Sequence, residues 1–222
     1  MADSAPLTPK NTDMPRVAAA FRRQDFVEAA VKVIAEHGAA GATTRRIAAA
    51  AGSPLASLHY VFHTKDDLFL AVFDSLLEQT MRPATDSLRQ LPLGELAAWQ
   101  LRYGMDWMLQ HPDYARAQAE LFYWAMNNNR PLALEPYKVS MRNALDFLVD
   151  ATGGRFELSL LESLARLNLS LIDGLLTAWF AYDDLERIQA DIDAACAAVA
   201  LYGAQLEQRH RAQASAREAQ AV

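Results

Sequence analysis

Apolar positions recur along this chain at three- and four-residue spacing, and nowhere do they alternate in the two-residue rhythm of a strand. The pattern predicts an all-α protein. Its first stripe is Phe26, Ala30, Val33 and Ile34, on a helix over about 18–37 that Gly38 ends. A short helix follows, with Thr44 as its cap, Arg45 and Arg46 in its first turn, and Ile47, Ala48 and Ala51 on one face. Gly52, Ser53 and Pro54 break it, since glycine tolerates positive φ and proline lacks the helical N–H. A second short helix fits from Leu55 to about Phe62, with Leu58 and Phe62 turned inward. Two short helices joined by a glycine turn form the helix-turn-helix pattern. Thr64 then caps a helix carrying Leu68, Val72 and Leu76, which Pro83 kinks or ends. Beyond it, helices are expected over 84–90, 94–110, 113–127, 133–152, 156–182 and 184–210, separated by Pro92, Pro112, Pro131 and Gly153-Gly154.

The second helix of the pair has the makings of a reader of DNA. Its outer face offers Ala56, Ser57, His59 and Tyr60. Small residues let the backbone approach a groove, while a hydroxyl, an imidazole and a phenol supply hydrogen bonds to base edges and phosphates. Lys65 opens the next helix, where a cation opposes the helix dipole. It makes sense there if a phosphate is its partner.

Thr43-Thr44, Ile47-Ala48, Ala51-Gly52, Leu58, Tyr60, Phe62, Lys65 and Leu68 together resemble the DNA-binding domain of the tetracycline-repressor (TetR) family of bacterial transcriptional regulators. The stretch from Phe26 through Gly38 resembles that family's first helix. The segment departs from the family's pattern at Ser53, Pro54, Leu55 and Val61. The resemblance implies an N-terminal helix-turn-helix DNA-binding domain and a larger C-terminal helical ligand-binding and dimerisation domain. Carried over position by position, the DNA contacts would be Thr44, Arg45, Leu55, Ala56, Ser57, His59, Tyr60 and Lys65, with Arg46 beside Arg45. Ser57 would read sequence, and Leu55 and Ala56 would meet thymine methyl groups. The implied layout is an arm over 1–17, the helix-turn-helix over 18–64, the regulatory body over 65–210 and a flexible tail over 211–222.

In the body, Trp99, Tyr103 and Trp107 lie four apart on one helix face, and the next helix brings Phe122, Tyr123, Trp124 and Met126. Such a face either packs the core or walls a largely apolar pocket. In the second case Trp99, Tyr103, Trp107, Tyr123 and Met126 would line it. Asn127, Asn168 and Asp173 are polar groups on apolar helices, suited to orienting a ligand; Asn168 and Asp173 fit an interface equally well. The effector would be small and hydrophobic or aromatic. The segments RAQAELFYWAMNN, PYKVSMRNALDFL and LNLSLIDGLLTAWF also resemble TetR-family regulatory domains, in which the last two long helices pair across a two-fold axis. Leu164, Leu171, Leu175, Ile192, Cys196 and Val199 would then form the dimer interface, and Gly174 with Ala178 would permit close approach.

Composition narrows the alternatives. Hydrophobic residues make up 52% of the 222, enough for a substantial core, yet no run approaches a membrane span. The N-terminal stretch has no apolar segment of the secretory type. A lone cysteine, Cys196, forbids an intrachain disulfide and suits a reducing cytoplasm; it is either an apolar filler or a redox sensor. The net charge of −6 argues against indiscriminate nucleic-acid binding, but residues 1–65 carry +3 and the remainder −9, as for a protein that touches DNA with one end. Arg16, Arg22 and Arg23 either reach DNA or belong to a solvated tail. No HExxH, P-loop, GxSxG, CxxC or GxGxxG is present, so no enzyme and no cofactor are expected. His59 and His63 stand four apart, but their place in the reading head favours DNA contact or solvent over a metal.

The reading is a cytoplasmic homodimeric repressor that holds a palindromic operator and is released by a small effector. The alternative is a helical small-molecule-binding protein or enzyme whose helix-turn-helix is vestigial.

Overall fold

A computed structural model describes residues 14–80 and 84–220, and the side chains of these except at 14–21, 80, 218 and 220. The expected break at Pro83, the side chain of Arg16 and most of the N-terminal arm lie outside the described residues. Every element is a helix: α1 (Met14–Gly41), α2 (Thr44–Ala50), α3 (Leu55–Val61), α4 (Lys65–Thr80), α5 (Asp86–Arg89), α6 (Leu93–Gln110), α7 (Pro112–Asn128), α8 (Arg130–Thr152), α9 (Leu158–Tyr182) and α10 (Leu185–Gln220). The all-α expectation holds.

Local chemistry sets the boundaries. Gly38 breaks the regular run of α1 at φ 68°. Thr64 and Asp67 cap α4 reciprocally: the Asp67 N–H donates to Thr64 Oγ1 at 3.0 Å, and the Thr64 N–H to Asp67 Oδ2 at 2.9 Å. Gly153, in the left-handed region, closes α8. Asp183 closes α9 in the same region at φ 50°, and Asp184 then caps α10 by accepting the Arg187 N–H at 3.0 Å. Two boundaries differ from the sequence reading. α1 begins at Met14, inside the expected arm, and α10 continues through Gln220, where a flexible tail was expected from 211. The stretch after His210 is alanine- and glutamine-rich with few breakers, so helix propensity carries it on.

Two hydrophobic cores result. The first gathers Phe26, Val27, Ile34, Ile47, Leu58, Leu68, Phe69 and Val72 with Ala117, Leu121 and Ala125 of α7. The core of the reading head therefore takes in residues of α7. The second core joins α6, α8, α9 and α10 through Leu96, Leu101, Met105, Leu148, Leu161, Leu164, Ile192 and Val199. Trp107 packs against both.

α6 and α10 cross with glycine on each side. A Cβ built on Gly94 would stand 2.1 Å from the Ala200 carbonyl oxygen, and one on Gly203 would stand 2.5 Å from the Gly94 Cα. This is the close helix approach of the body. Gly174, assigned that role from sequence, has nothing within 4 Å of its Cβ position. Near the crossing Glu207 Oε2 accepts the Leu93 N–H at 3.1 Å, satisfying one of the unpaired donors at the start of α6.

Candidate functional site

The head presents α3 outward. The N-cap of α2 is Thr43, one residue before the expected Thr44, and its Oγ1 accepts the Arg46 N–H at 3.2 Å. Arg46 Nη1 donates to the Gly41 carbonyl at 2.5 Å, fastening α2 to the end of α1. Gly52 takes φ 61° in the turn. Leu58 and Phe62 anchor α3 in the core, with the Arg23 guanidinium 5.3 Å from the Phe62 ring centroid. Arg45, Arg46, Ala56, His59 and Tyr60 are then exposed, Tyr60 at 82%. Thr44, Leu55 and Ser57 are half-buried at the edge of the same surface, and Leu55 also packs against the core. Such a convex helical face with basic residues beside it has the shape and chemistry for a major groove. His59 and His63 are exposed, and no third ligating side chain joins them among the described residues.

Lys65 departs from its expected role on phosphate. Its Nζ donates to the Ala39 carbonyl at 3.2 Å and lies 4.7 Å from the Phe69 ring centroid and 5.4 Å from that of Trp124. Burial lowers its pKa below the ordinary lysine value, with Asp66 opposing. The ammonium binds α1, α4 and α7 together because the end of α1 offers it an unpaired carbonyl and two rings offer it their faces. Beside it Asn129 Nδ2 donates to Asp66 Oδ2 at 2.7 Å, a second tie between α4 and the body.

Two to three turns further along α4 a cavity of about 100 Å³ opens to solvent between α4, α7, α8 and α9. Phe73, Leu76 and Leu77 of α4 form one wall, and Gln118, Phe122 and Tyr123 of α7 another. Pro136, Tyr137 and Ser140 of α8 and Leu169, Asp173, Leu176 and Thr177 of α9 complete it. Pro136 lies inside α8, where proline removes a backbone hydrogen bond and disturbs the helix beside the cavity. The Tyr123 and Thr177 hydroxyls meet at 3.0 Å. Burial pushes the Asp173 carboxyl up to about 6.

Of the residues expected at a pocket, Tyr123 lines the cavity, and so does Asp173, one of the polar groups suited to orienting a ligand. Trp99 stacks between Tyr103 and Phe147, at 5.1 and 5.5 Å between centroids, so this pair packs α6 against α8. Trp107 stacks on His111 at 4.3 Å, and the His111 Nδ1 donates to the Trp107 carbonyl at 2.7 Å. Met126 and Asn127 are exposed, and the Asn127 amide donates to the Tyr123 carbonyl at 2.9 Å. Asn168 is buried elsewhere, its Nδ2 donating to the Ala97 carbonyl at 2.8 Å and to Gln100 Oε1 at 3.1 Å. The cavity residues the sequence reading left out are chiefly Gln118, Tyr137 and Ser140. Their one signal was the proline inside α8 with a tyrosine next to it.

The expected dimer residues also need correction. Leu164, Leu175, Ile192, Cys196 and Val199 are buried within the chain's own second core, and Leu171 packs against it. The five buried ones are covered by the chain itself and offer no surface to another copy, while Leu171 stays half-buried at the edge of that core. The Cys196 thiol donates to the Ala98 carbonyl at 3.6 Å, and burial pushes its pKa up, which keeps it protonated and unreactive as an apolar filler. Among the described residues no helix is long and apolar enough to cross a membrane.

Comparison with known proteins places this architecture. Residues 26–72 match the family model described as bacterial regulatory proteins, tetR family. Over 67 residues, 30% of the chain, it is 39% identical to the HTH-type nicotine-responsive transcriptional repressor HdnoR of Paenarthrobacter nicotinovorans; the match spans 34% of that repressor's length. A TetR-family member from Streptomyces coelicolor A3 superposes with a TM-score of 0.61 at 25% identity, over 78% of this chain and 95% of that one. The multidrug binding protein EbrR complexed with ethidium superposes at 0.58 and 24% identity, over 78% and 96% of the two chains. The fatty acid degradation regulator FadR from Bacillus halodurans does so at 0.62 and 19%, over 81% and 94%. The two findings agree: residues 26–72 carry the N-terminal domain described for bacterial regulatory proteins of the tetR family, and the helical body shares the fold of a solved TetR-family member.

Proposed function

We propose that the chain is a ligand-responsive transcriptional repressor that binds a palindromic operator as a homodimer. The outer face of α2 and α3 meets the DNA: Arg45, Arg46 and Tyr60 on phosphates, Ala56, Ser57 and His59 toward base edges, with Thr44 and Leu55 at the margin. Lys65 is a positioning residue that fixes the angle between α1, α4 and α7. Two copies present their α3 helices to successive major grooves about 34–36 Å apart. The second copy sits on the outward face of α10, where Ala194, Ala197 and the 70% exposed Leu201 remain apolar.

The observation that carries this reading is the sharing of α4 and α7 between head and cavity. Phe73, Leu76 and Leu77 line the cavity on the helix whose first residue is Lys65. Phe122 and Tyr123 line it next to Trp124, which faces the Lys65 ammonium. A ligand that wedges α4 from α7 acts on the contacts that aim α3. Release of DNA then follows from the ligand's higher affinity for the wedged state. Likeness to a nicotine-responsive repressor and to a multidrug binding protein supports small-molecule control.

The test uses a DNA duplex selected by the chain from a random pool, with binding followed by fluorescence anisotropy. The proposal expects selective binding by wild type, at least about tenfold weaker binding by Tyr60→Ala, and release by a compound shown calorimetrically to occupy the cavity. Lys65→Met, which keeps the packing and deletes the charge, is expected to bind that compound while coupling it poorly to DNA. Selective binding that survives Tyr60→Ala, or a cavity ligand that leaves DNA affinity unchanged, refutes the proposal.

A further inference from the structure

The cavity is aromatic on two sides and carries one fully charged side chain. Phe122 and Tyr137 lie 6.3 Å apart between centroids with their planes 26° from parallel, and Phe122 meets Tyr123 edge-on at 6.3 Å. Phe73 adds a fourth ring. Among the described residues no lysine, arginine or histidine lines it. Asp173 is half-buried in this wall, and among the described residues no side chain donates to its carboxylate; its backbone carbonyl alone is engaged, by the Thr177 hydroxyl at 2.8 Å. Two arginines of the body are engaged on other carboxylates, Arg102 on Asp193 and Arg89 on Asp150.

A carboxylate without donors in an apolar wall is costly to leave ionised. The cost shows in the Asp173 acidity, which burial weakens. A neutral hydrophobe entering the cavity would displace the remaining water from that carboxylate and raise the cost. An anion would add repulsion at close range. A cation offsets the buried charge and at the same time meets ring faces that attract positive charge. About 100 Å³ with an open mouth admits one ring and a compact head, not a long chain.

We infer that the cavity takes a small organic cation, a quaternary or protonated amine bearing one aromatic or compact alkyl body, with the Asp173 carboxylate as counter-ion and Phe122, Tyr123 and Tyr137 around the charge. This deepens the effector reading above and rests on the cavity being the effector site. The neutral amide of Gln118 and the hydroxyl of Ser140 are left to orient the body of the ligand.

Phenyltrimethylammonium and its neutral isostere tert-butylbenzene separate charge from shape. Their binding to the full-length wild-type chain is measured by calorimetry at pH 7.5. The inference expects the cation to bind about tenfold or more tightly than the isostere. Asp173→Asn, which keeps the shape, is expected to erase most of that preference, weakening the cation and binding the isostere as tightly as wild type or more tightly. Equal or tighter binding of the isostere to wild type overturns the inference, as does a cation that fails to bind at millimolar concentration or binds Asp173→Asn undiminished. The wild-type comparison stands without the variant. Release of the selected DNA duplex is read separately. A preferred cation that leaves the DNA bound supports the charge inference and refutes the effector reading. A neutral compound that releases DNA from the cavity while the cation does not bind does the opposite.

Discussion

Replacing Gly94 by alanine should destabilise the protein although alanine is the better helix former. In an open helix interior the change is worth about 1 kcal/mol of added stability. Here the new methyl would stand 2.1 Å from the Ala200 carbonyl oxygen and 3.0 Å from the Ala204 nitrogen, both backbone atoms that cannot rotate away. α6 and α10 must part by at least about 1 Å before the methyl reaches ordinary contact, and the second core loses packing on both sides of the crossing. Overpacking of this kind costs about 1–3 kcal/mol, which outweighs the propensity gain. For a chain of this size that corresponds to a fall in Tm of up to about 8 °C after the gain is subtracted. Gly104→Ala on the same helix is the control, because its Cβ would meet only the Ile172 Cδ1, at an ordinary 3.5 Å. It should raise Tm or leave it unchanged. Both are read by thermal denaturation followed by circular dichroism. If Gly94→Ala raises Tm as much as Gly104→Ala, the α6–α10 crossing is not the contact described here.

Other outcomes follow from single groups. Asp183→Gly relieves a left-handed backbone at a non-glycine residue and should stabilise by about 0.5–1 kcal/mol in urea denaturation; a loss of stability would mean the carboxylate itself is needed there. Asp173 has its carboxyl raised to about 6 from an ordinary 3.8, so the native chain holds a proton that the unfolded chain has lost between those values. Its contribution to stability is fully present below 3.8 and disappears as pH rises through about 6. Tm of Asp173→Asn minus Tm of wild type should therefore grow from pH 4 to pH 7, and a difference flat across that range would contradict the burial argument. Leu201→Glu places a charge on the exposed apolar face of α10 and should shift the proposed dimer to monomer in light scattering without lowering helix content; an unchanged mass would move the interface elsewhere.

Where the sequence is explicit about backbone, the fold was legible. Pro54, Pro92, Pro112, Pro131 and Gly153 stand at or next to helix ends, where proline's missing N–H and glycine's left-handed backbone are cheapest, and these boundaries agree with the sequence reading to within a few residues. Inward residues of the short head helices were legible too, because a seven-residue helix has only one face to bury, here Leu58 of α3 or Ile47 of α2. The body is different. Its long helices carry apolar residues on more than one face, and periodicity says which residues share a face, not which neighbour covers it. Trp99 and Tyr103 form a series as bulky as Phe122 and Tyr123, yet Phe147 of α8 covers the first pair and open space faces the second. For the same reason the stripe of Ile192, Cys196 and Val199 reads equally as a core or a dimer seam, and α6 decides it. The Gly94–Gly203 contact joins residues more than a hundred positions apart and leaves no local trace. Lys65 was a conflict with the helix dipole visible in sequence, but its resolution by a carbonyl and two rings needed three separate helices.

The measurement that tests the account most directly is a salt titration of DNA binding by wild type and by the double variant Arg45→Ala/Tyr60→Ala, using the selected duplex and a scrambled duplex of the same length. The account predicts wild-type preference for the selected duplex by about a thousandfold or more, with a steep loss of affinity as salt rises. It predicts a shallower slope and most of the affinity lost in the double variant. Equal binding of both duplexes by wild type, or a double variant that keeps both affinity and slope, would contradict the assignment of α2 and α3 as the DNA-reading surface.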